Sequence, residues 1–138
     1  MLTFAFIDET TVAAGSYGGW LQIWDLNDTS APVFTQSAHN EPILDIEVSQ
    51  DRTKIATSSR ASVKIWSVPR GDLLLTMPVG VDHISEVYFS PDGTKLTTVD
   101  NRDRLRIWDA RPYPLGETVS FEQAHINTIS HEMQVSPD

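Results

Sequence analysis

The sequence predicts an all-β chain: an incomplete β-propeller of about three four-stranded antiparallel blades, plus one strand of a fourth. Three observations predict it. Tryptophan recurs every 42 residues, at Trp24, Trp66 and Trp108. Each closes a short alternating segment: Leu21-Gln22-Ile23-Trp24-Asp25, Val63-Lys64-Ile65-Trp66-Ser67 and Leu105-Arg106-Ile107-Trp108-Asp109. Between them lie β-forming runs separated by turns such as Ser90-Pro91-Asp92-Gly93, where Pro presets φ and Gly admits a positive φ. Four such runs in each fixed period build one twisted antiparallel sheet.

The third repeat displays the unit best. Strands are expected at Ile84–Phe89, 95–99, 104–108 and 117–121, with the polar turn Asp100-Asn101-Arg102-Asp103 before the third strand and a two-proline loop at 111–116 after it. The second repeat gives 43–48, Lys54–Ser58, 62–66 and 73–77, with Pro69-Arg70-Gly71 as its loop. The first gives Leu2–Phe6, 12–15, 20–24 and 33–36. The whole of 1–138 reads as one partial propeller, with blades at approximately 1–37, 43–79 and 84–122 and the start of a fourth at 123–138, which ends on Ser136-Pro137-Asp138. Side chains alternate across a strand, so Val63 and Ile65 point to one face while Lys64 and Trp66 point to the other. Both faces of a stacked blade meet neighbours, so aliphatics and tryptophans are all expected in the core.

The three in-phase copies, together with Ser90-Pro91-Asp92-Gly93-Thr94-Lys95-Leu96, resemble the WD-repeat (WD40) propeller family over the whole chain. That resemblance implies a hydrogen-bonded tetrad in each blade: a loop His, a second-strand Ser or Thr, a turn Asp and the third-strand Trp. Carried onto this chain, it selects His39, Thr57 and Trp66 in the second repeat, where Arg60 or a deletion stands at the Asp position. In the third it selects Thr98, Asp103 and Trp108, with Gly80 at the His position and His83 three residues late. In the first, Ala14 and Gly18 replace the Ser and Asp. Ala124-His125 fits the start of a fourth unit, with His125 as its tetrad histidine.

Propellers close with about 4–8 blades, which protects their sheet edges. Three blades leave an apolar face open at each end, so the chain is expected to be a segment of a longer propeller, to self-associate, for example as a dimer, or to be completed by another chain.

Composition narrows the chemistry. The 138 residues carry a net charge of −9 and no cysteine. The charge argues against nucleic acid or an anionic membrane as partner. The absence of cysteine excludes disulfides and thiolate ligands. The acidic N-terminal segment reads as a strand rather than a signal peptide, and a cytoplasmic setting is expected, with the nucleus as alternative. His39, His83, His125 and His131 show no metal-ligand spacing, and His131-Glu132 reads as an exposed strand pair. Gly15-Ser16-Tyr17-Gly18-Gly19 lies in a hairpin without the following helix that a phosphate cradle needs. No metal, cofactor or catalytic residue is expected, and the chain is not expected to be an enzyme.

The expected role is a scaffold that binds partner proteins or peptides through blade-end loops. The segments concerned are 37–42, 80–83 and 122–128, with 16–20, 59–61 and 100–103. Tyr17 and Trp20 are candidates because a turn does not need two aromatics. Arg60 and Arg102 suit an acidic or phosphorylated peptide. Trp108-Asp109-Ala110-Arg111 resembles the adaptor-binding motif of substrate receptors of cullin-4-type ubiquitin ligases, which implies that Arg111 contacts the adaptor. A regulatory, non-catalytic module of a larger enzyme is a further alternative. A looser resemblance to phosphoinositide-binding propellers fails at Met77-Pro78-Val79-Gly80, where that family carries paired arginines.

Overall fold

Twelve strands form three four-stranded antiparallel meanders in a computed structural model that describes residues 2–68, 70–78, 83–111 and 125–129, with the backbone alone at Leu2 and 125–129. The first sheet contains β1 (Leu2–Phe6), β2 (Thr11–Ser16), β3 (Trp20–Asp25) and β4 (Phe34–Ser37). The second contains β5 (Asp45–Val48), β6 (Lys54–Ser58), β7 (Ser62–Ser67) and β8 (Leu73–Pro78). The third contains β9 (Ile84–Phe89), β10 (Lys95–Asp100), β11 (Leu105–Asp109) and β12 (His125–Ile129). Successive sheets meet through β1 with β5 and β5 with β9, so these are the inner strands. Among the described residues the sheets form an open arc, and the incomplete propeller expected from the repeat is what is found.

One strand differs from expectation. The partner of β11 is His125–Ile129, with Leu105 opposite Ile129 and Trp108 opposite His125. The sequence assigns that place to 117–121, which lies outside the described residues, and gives 123–138 to a fourth blade. Both segments are rich in β-formers and alternate in polarity, so local pattern does not choose between them. Residues 69, 79–82, 112–124 and 130–138 carry further expectations, among them the Pro69 loop, Gly80, His131-Glu132 and the closing Ser136-Pro137-Asp138 turn; these too lie outside the described residues.

Turn chemistry fixes the hairpins. Asp51 accepts from the Ser49 hydroxyl (2.7 Å) and from the Thr53 amide (3.0 Å) and hydroxyl (2.7 Å). Asp92 repeats the pattern with Ser90 and Thr94, and these donors hold its carboxyl down to about 2. Gly93 takes φ 73° in that turn, and Arg52 takes the same left-handed place at 63°.

Alternation then builds two cores. Trp66 and Ile55 pack back onto Leu21, Ile23 and Ile46 between the first and second sheets. Val63, Ile65, Leu75 and Met77 face the other way, against Trp108, Leu96 and Val87 of the third. Each buried tryptophan therefore looks toward the preceding sheet. Trp24 departs from the expectation that all three are core. It is only half-buried, because no described sheet precedes its own. Phe4 and Phe6, the β1 counterparts of Ile46 and Val48, stand 61% and 58% exposed beside it, with their rings edge-to-face.

Candidate protein-binding face

The second blade carries a continuous hydrogen-bonded chain. The Trp66 indole donates to Thr57 Oγ1 (3.0 Å), and Thr57 Oγ1 lies 2.8 Å from His39 Nε2. His39 Nδ1 in turn lies 3.3 Å from Ser62 Oγ. Burial, then the charge of Lys64, lowers His39 to about 4, against the opposing effect of its Thr57 bond. The imidazole is thus neutral near pH 7. With its proton on Nδ1 the chain is satisfied throughout: indole to Thr57, Thr57 hydroxyl to Nε2, Nδ1–H to Ser62. Ser62 is the member that sequence reasoning missed; it stands where Arg60 or a gap was expected.

Among the described residues, the third blade shows half of this arrangement. Trp108 donates to Thr98 Oγ1 (3.0 Å). Asp103, expected as the tetrad carboxylate, is exposed at φ 59°. The buried carboxylate of that turn is Asp100, which accepts from the amides of Arg102 (2.8 Å) and Arg104 (3.0 Å) and from the Arg104 guanidinium (2.9 Å). Burial pushes Asp100 up, but these donors outweigh it and hold the carboxyl below the usual range. The reason lies in the register shift between Val99 and Asp100, which turns Asp100 inward ahead of the hairpin. In the first blade Ala14 offers no hydroxyl, and Trp24 donates instead to Gln22 Oε1 (3.3 Å). His125 faces Trp108 in the register, and its side chain lies outside the described residues.

These contacts hold the loops at one end of the arc. The Gly19 carbonyl accepts the amides of Ala38 (2.9 Å) and His39 (3.0 Å), which clasps the β2–β3 turn to the connection between the first two blades. Lys64 Nζ donates to the Ala38 carbonyl (2.6 Å). On the inner side, Asp45 Oδ2 accepts the Val87 amide (2.9 Å), tying β5 to β9. Burial raises the carboxyls of Asp45 and Glu47. The Tyr88 hydroxyl donates to Glu86, and that bond, with burial, pushes Tyr88 up to about 12.

Where the starts of β1, β5 and β9 converge, the loops enclose a cleft of about 330 Å³. Its walls are Pro42, Ile43, Leu44 and Ile84, with Tyr17 and Arg60 at the mouth. His83 and Asn101 complete the rim, joined by the Asn101 amide donating to the His83 carbonyl (2.9 Å). The opposite end of the inner strands bears a more open hollow of about 540 Å³ beside Phe6, Val48 and Arg52. Of the four binding residues expected from the sequence, the cleft brings together Tyr17 (68% exposed) and Arg60. Trp20 lies outside it, half-exposed above its own turn, where a Cβ on Gly18 would touch its ring at 3.4 Å. Arg102 is exposed and also outside the lining. His83 and Asn101 lie in the expected binding segments 80–83 and 100–103 but were not singled out, because only the packing of blades brings them to the cleft.

At the end of β11, Arg111 folds back onto Asp109, donating from its amide (3.0 Å) and from Nε (2.8 Å) to Oδ1. The Arg111 side-chain bond, with lesser help from its amide and charge, holds Asp109 down to about 2 against burial. Among the described residues no three His, Asp or Glu side chains gather as a metal-binding group.

Comparison with known proteins places this geometry in a family. The model of the nucleolar protein 10-like N-terminal domain, a β-propeller, matches residues 2–108. WD repeat and SOCS box-containing protein 1 of Mus musculus is 34% identical over 91 residues, which are 64% of this chain and 21% of that protein. SVP1-like protein 2 of Saccharomyces cerevisiae is 30% identical over 107 residues, 75% of this chain and 24% of the other. Coronin-7 of Rattus norvegicus is 26% identical over 133 residues, 91% and 14% respectively. The chain thus spans about a quarter or less of the length of these curated relatives. The 42-residue repeat, the three meander sheets, the buried Trp66 and Trp108 and the match over residues 2–108 agree: the chain belongs to the WD-repeat β-propellers, in the nucleolar protein 10-like N-terminal domain family, as a partial propeller.

Proposed function

We propose that the chain is a non-catalytic protein-interaction scaffold that holds partner proteins on the loop face around the Tyr17–Arg60 cleft. The observation that carries this reading is convergence: loops from all three blades meet at one mainly apolar cleft with an exposed tyrosine and an arginine at its mouth. Tyr and Arg are the residue types enriched where binding energy concentrates. Membership among WD-repeat proteins supports protein partners. The test is retention of partners captured by the full chain and its variants. Tyr17→Ala and Arg60→Ala are each expected to weaken retention by about tenfold or more, the scale of a hot-spot truncation. Trp20→Ala and Arg102→Ala are expected to weaken it less. Partner retention unchanged in all four variants would show that binding lies elsewhere.

One observation favours a second reading, as a substrate-receptor subunit of a cullin-4-type ubiquitin ligase. The Arg111 side chain is 66% exposed, yet Asp109 fixes its orientation, so the motif arginine is presented ready to dock. An Arg111→Ala chain that bound the purified adaptor as tightly as wild type would remove this reading.

A further inference from the structure

Resting on the loop-face reading above, we infer that the cleft takes one large apolar side chain from a partner segment whose adjacent carboxylate pairs with Arg60. Size is the first argument. At about 330 Å³ the cleft sits at the lower end of ligand pockets, which suits an anchoring side chain better than a cofactor. Its walls of Pro42, Ile43, Leu44 and Ile84 reward an aliphatic or aromatic group and offer it no charged partner.

Charge is the second argument. Acidic residues outnumber lysine and arginine 19 to 10 in this chain, and three of its other arginines hold one. Arg70 holds Asp72, Arg104 holds Asp100 and Arg111 holds Asp109. Arg60, at the cleft mouth, holds no carboxylate among the described residues. Asp45, Glu47 and Glu86 lie farther along the inner strands and do not line the cleft. A planar guanidinium beside an apolar hollow matches a carboxylate in bidentate geometry. A phosphate dianion calls for a cluster of cations, and the cleft lining contains one.

Three small probes separate the two halves of the inference: N-acetyl-leucine, N-acetyl-leucinamide, which lacks the carboxylate, and N-acetyl-alanine, which lacks the bulk. Each is titrated into the isotope-labelled full chain while the amide resonances of Tyr17, Leu44, Arg60 and Asn101 are followed by NMR. N-acetyl-leucine is expected to shift all four and to bind about threefold or more tighter than either control, the scale of one exposed charge pair or one small apolar contact. Arg60→Gln, on an exposed turn, is expected to bring the acid down to the amide. Equal binding of acid and amide to the wild-type cleft overturns the carboxylate pairing, and equal binding of the leucine and alanine acids overturns the apolar anchor. Resonance shifts confined to sites outside the cleft overturn both. The loop-face reading is judged separately: it stands through any of these results if Tyr17→Ala still weakens partner retention, and it falls alone if the probes discriminate while retention is unchanged.

Discussion

Ser62 Oγ lies 3.3 Å from His39 Nδ1, so a neutral hydroxyl ends the buried chain of the second blade where the family pattern implies a carboxylate. The weight of that chain falls on Thr57, whose single oxygen serves both the Trp66 indole and His39. Thr57→Val strands two buried polar atoms, and the expected loss is about 2–4 kcal/mol. Thr98→Val removes the acceptor of Trp108 alone, for an expected loss of about 1–2 kcal/mol. Urea midpoints compare the two. Equal losses would mean that His39 contributes nothing through Thr57.

His39 also makes stability depend on pH. Its pKa is lowered from 6.5 to about 4, so between these values the unfolded chain binds more protons than the folded one. The sign follows: the contribution is complete above about pH 6.5 and is lost as pH falls toward 4. By pH 5 the expected loss is about 2 kcal/mol. Asp92 and Asp109, held near 2, titrate below this window. Asp45 and Glu47, raised by burial, act in the opposite sense and stabilise as pH falls. Comparison with His39→Gln cancels them. Parallel stability curves for wild type and variant from pH 7.5 to 5 would contradict the assignment.

Gly19 joins a positive φ of 81° to a close approach: a Cβ there would lie 1.9 Å from the His39 carbonyl oxygen. Gly19→Ala therefore strains the turn and also pushes away the loop that carries His39. The expected cost is more than about 2 kcal/mol, with a changed His39 ring resonance. A fully stable variant with the wild-type ring signal would show that the loop yields freely.

Arg52 occupies at 63° the place that Gly93 occupies at 73° in the equivalent turn. A non-glycine residue pays for left-handed backbone, so Arg52→Gly is expected to stabilise the chain by about 0.5–1 kcal/mol. Differential scanning calorimetry checks the direction. A lower transition temperature would mean that the arginine side chain contributes more than its backbone loses.

The open face of the first sheet sets an expectation for behaviour in solution. Phe4 and Phe6 are exposed where their counterparts Ile46 and Val48 meet a neighbour. Light scattering is expected to show a mass that rises with concentration, and Phe4→Ser with Phe6→Ser to lower it. A concentration-independent monomer would leave that face with no tendency to associate.

Most of the fold was legible because its signals are local. Period-two alternation located most strands to within a few residues, and turn residues such as Ser90-Pro91-Asp92-Gly93 located the hairpins. His39, Thr57 and Trp66 could be aligned because the WD-repeat resemblance implies a place for each. Ser62 could not, because a serine opening a strand looks like any other; its role comes from a contact 23 residues away in sequence. Asp100 and Asp103 bracket one four-residue turn, and only the register shift decides which is buried. The outer strand of the third sheet was misplaced because two alternating segments compete for one edge. Tyr17 was readable as an aromatic that a turn does not need and Arg60 as a basic loop residue suited to an acidic peptide, but the cleft between them exists only once the blades are stacked.

The direction in which the indoles look has one further consequence. Trp66 and Trp108 both point back toward the preceding sheet, so the stack has a head, marked by Phe4 and Trp24, and a tail, marked by the half-buried Leu105 and Ile107. A twofold axis across the stack would set head against head, whereas one along the propeller axis sets each head against the other copy's tail. Copies stacked in the same sense repeat the contact already made between the blades. Growth on these faces is therefore vectorial, and it ends only where the curvature brings a tail round to a head.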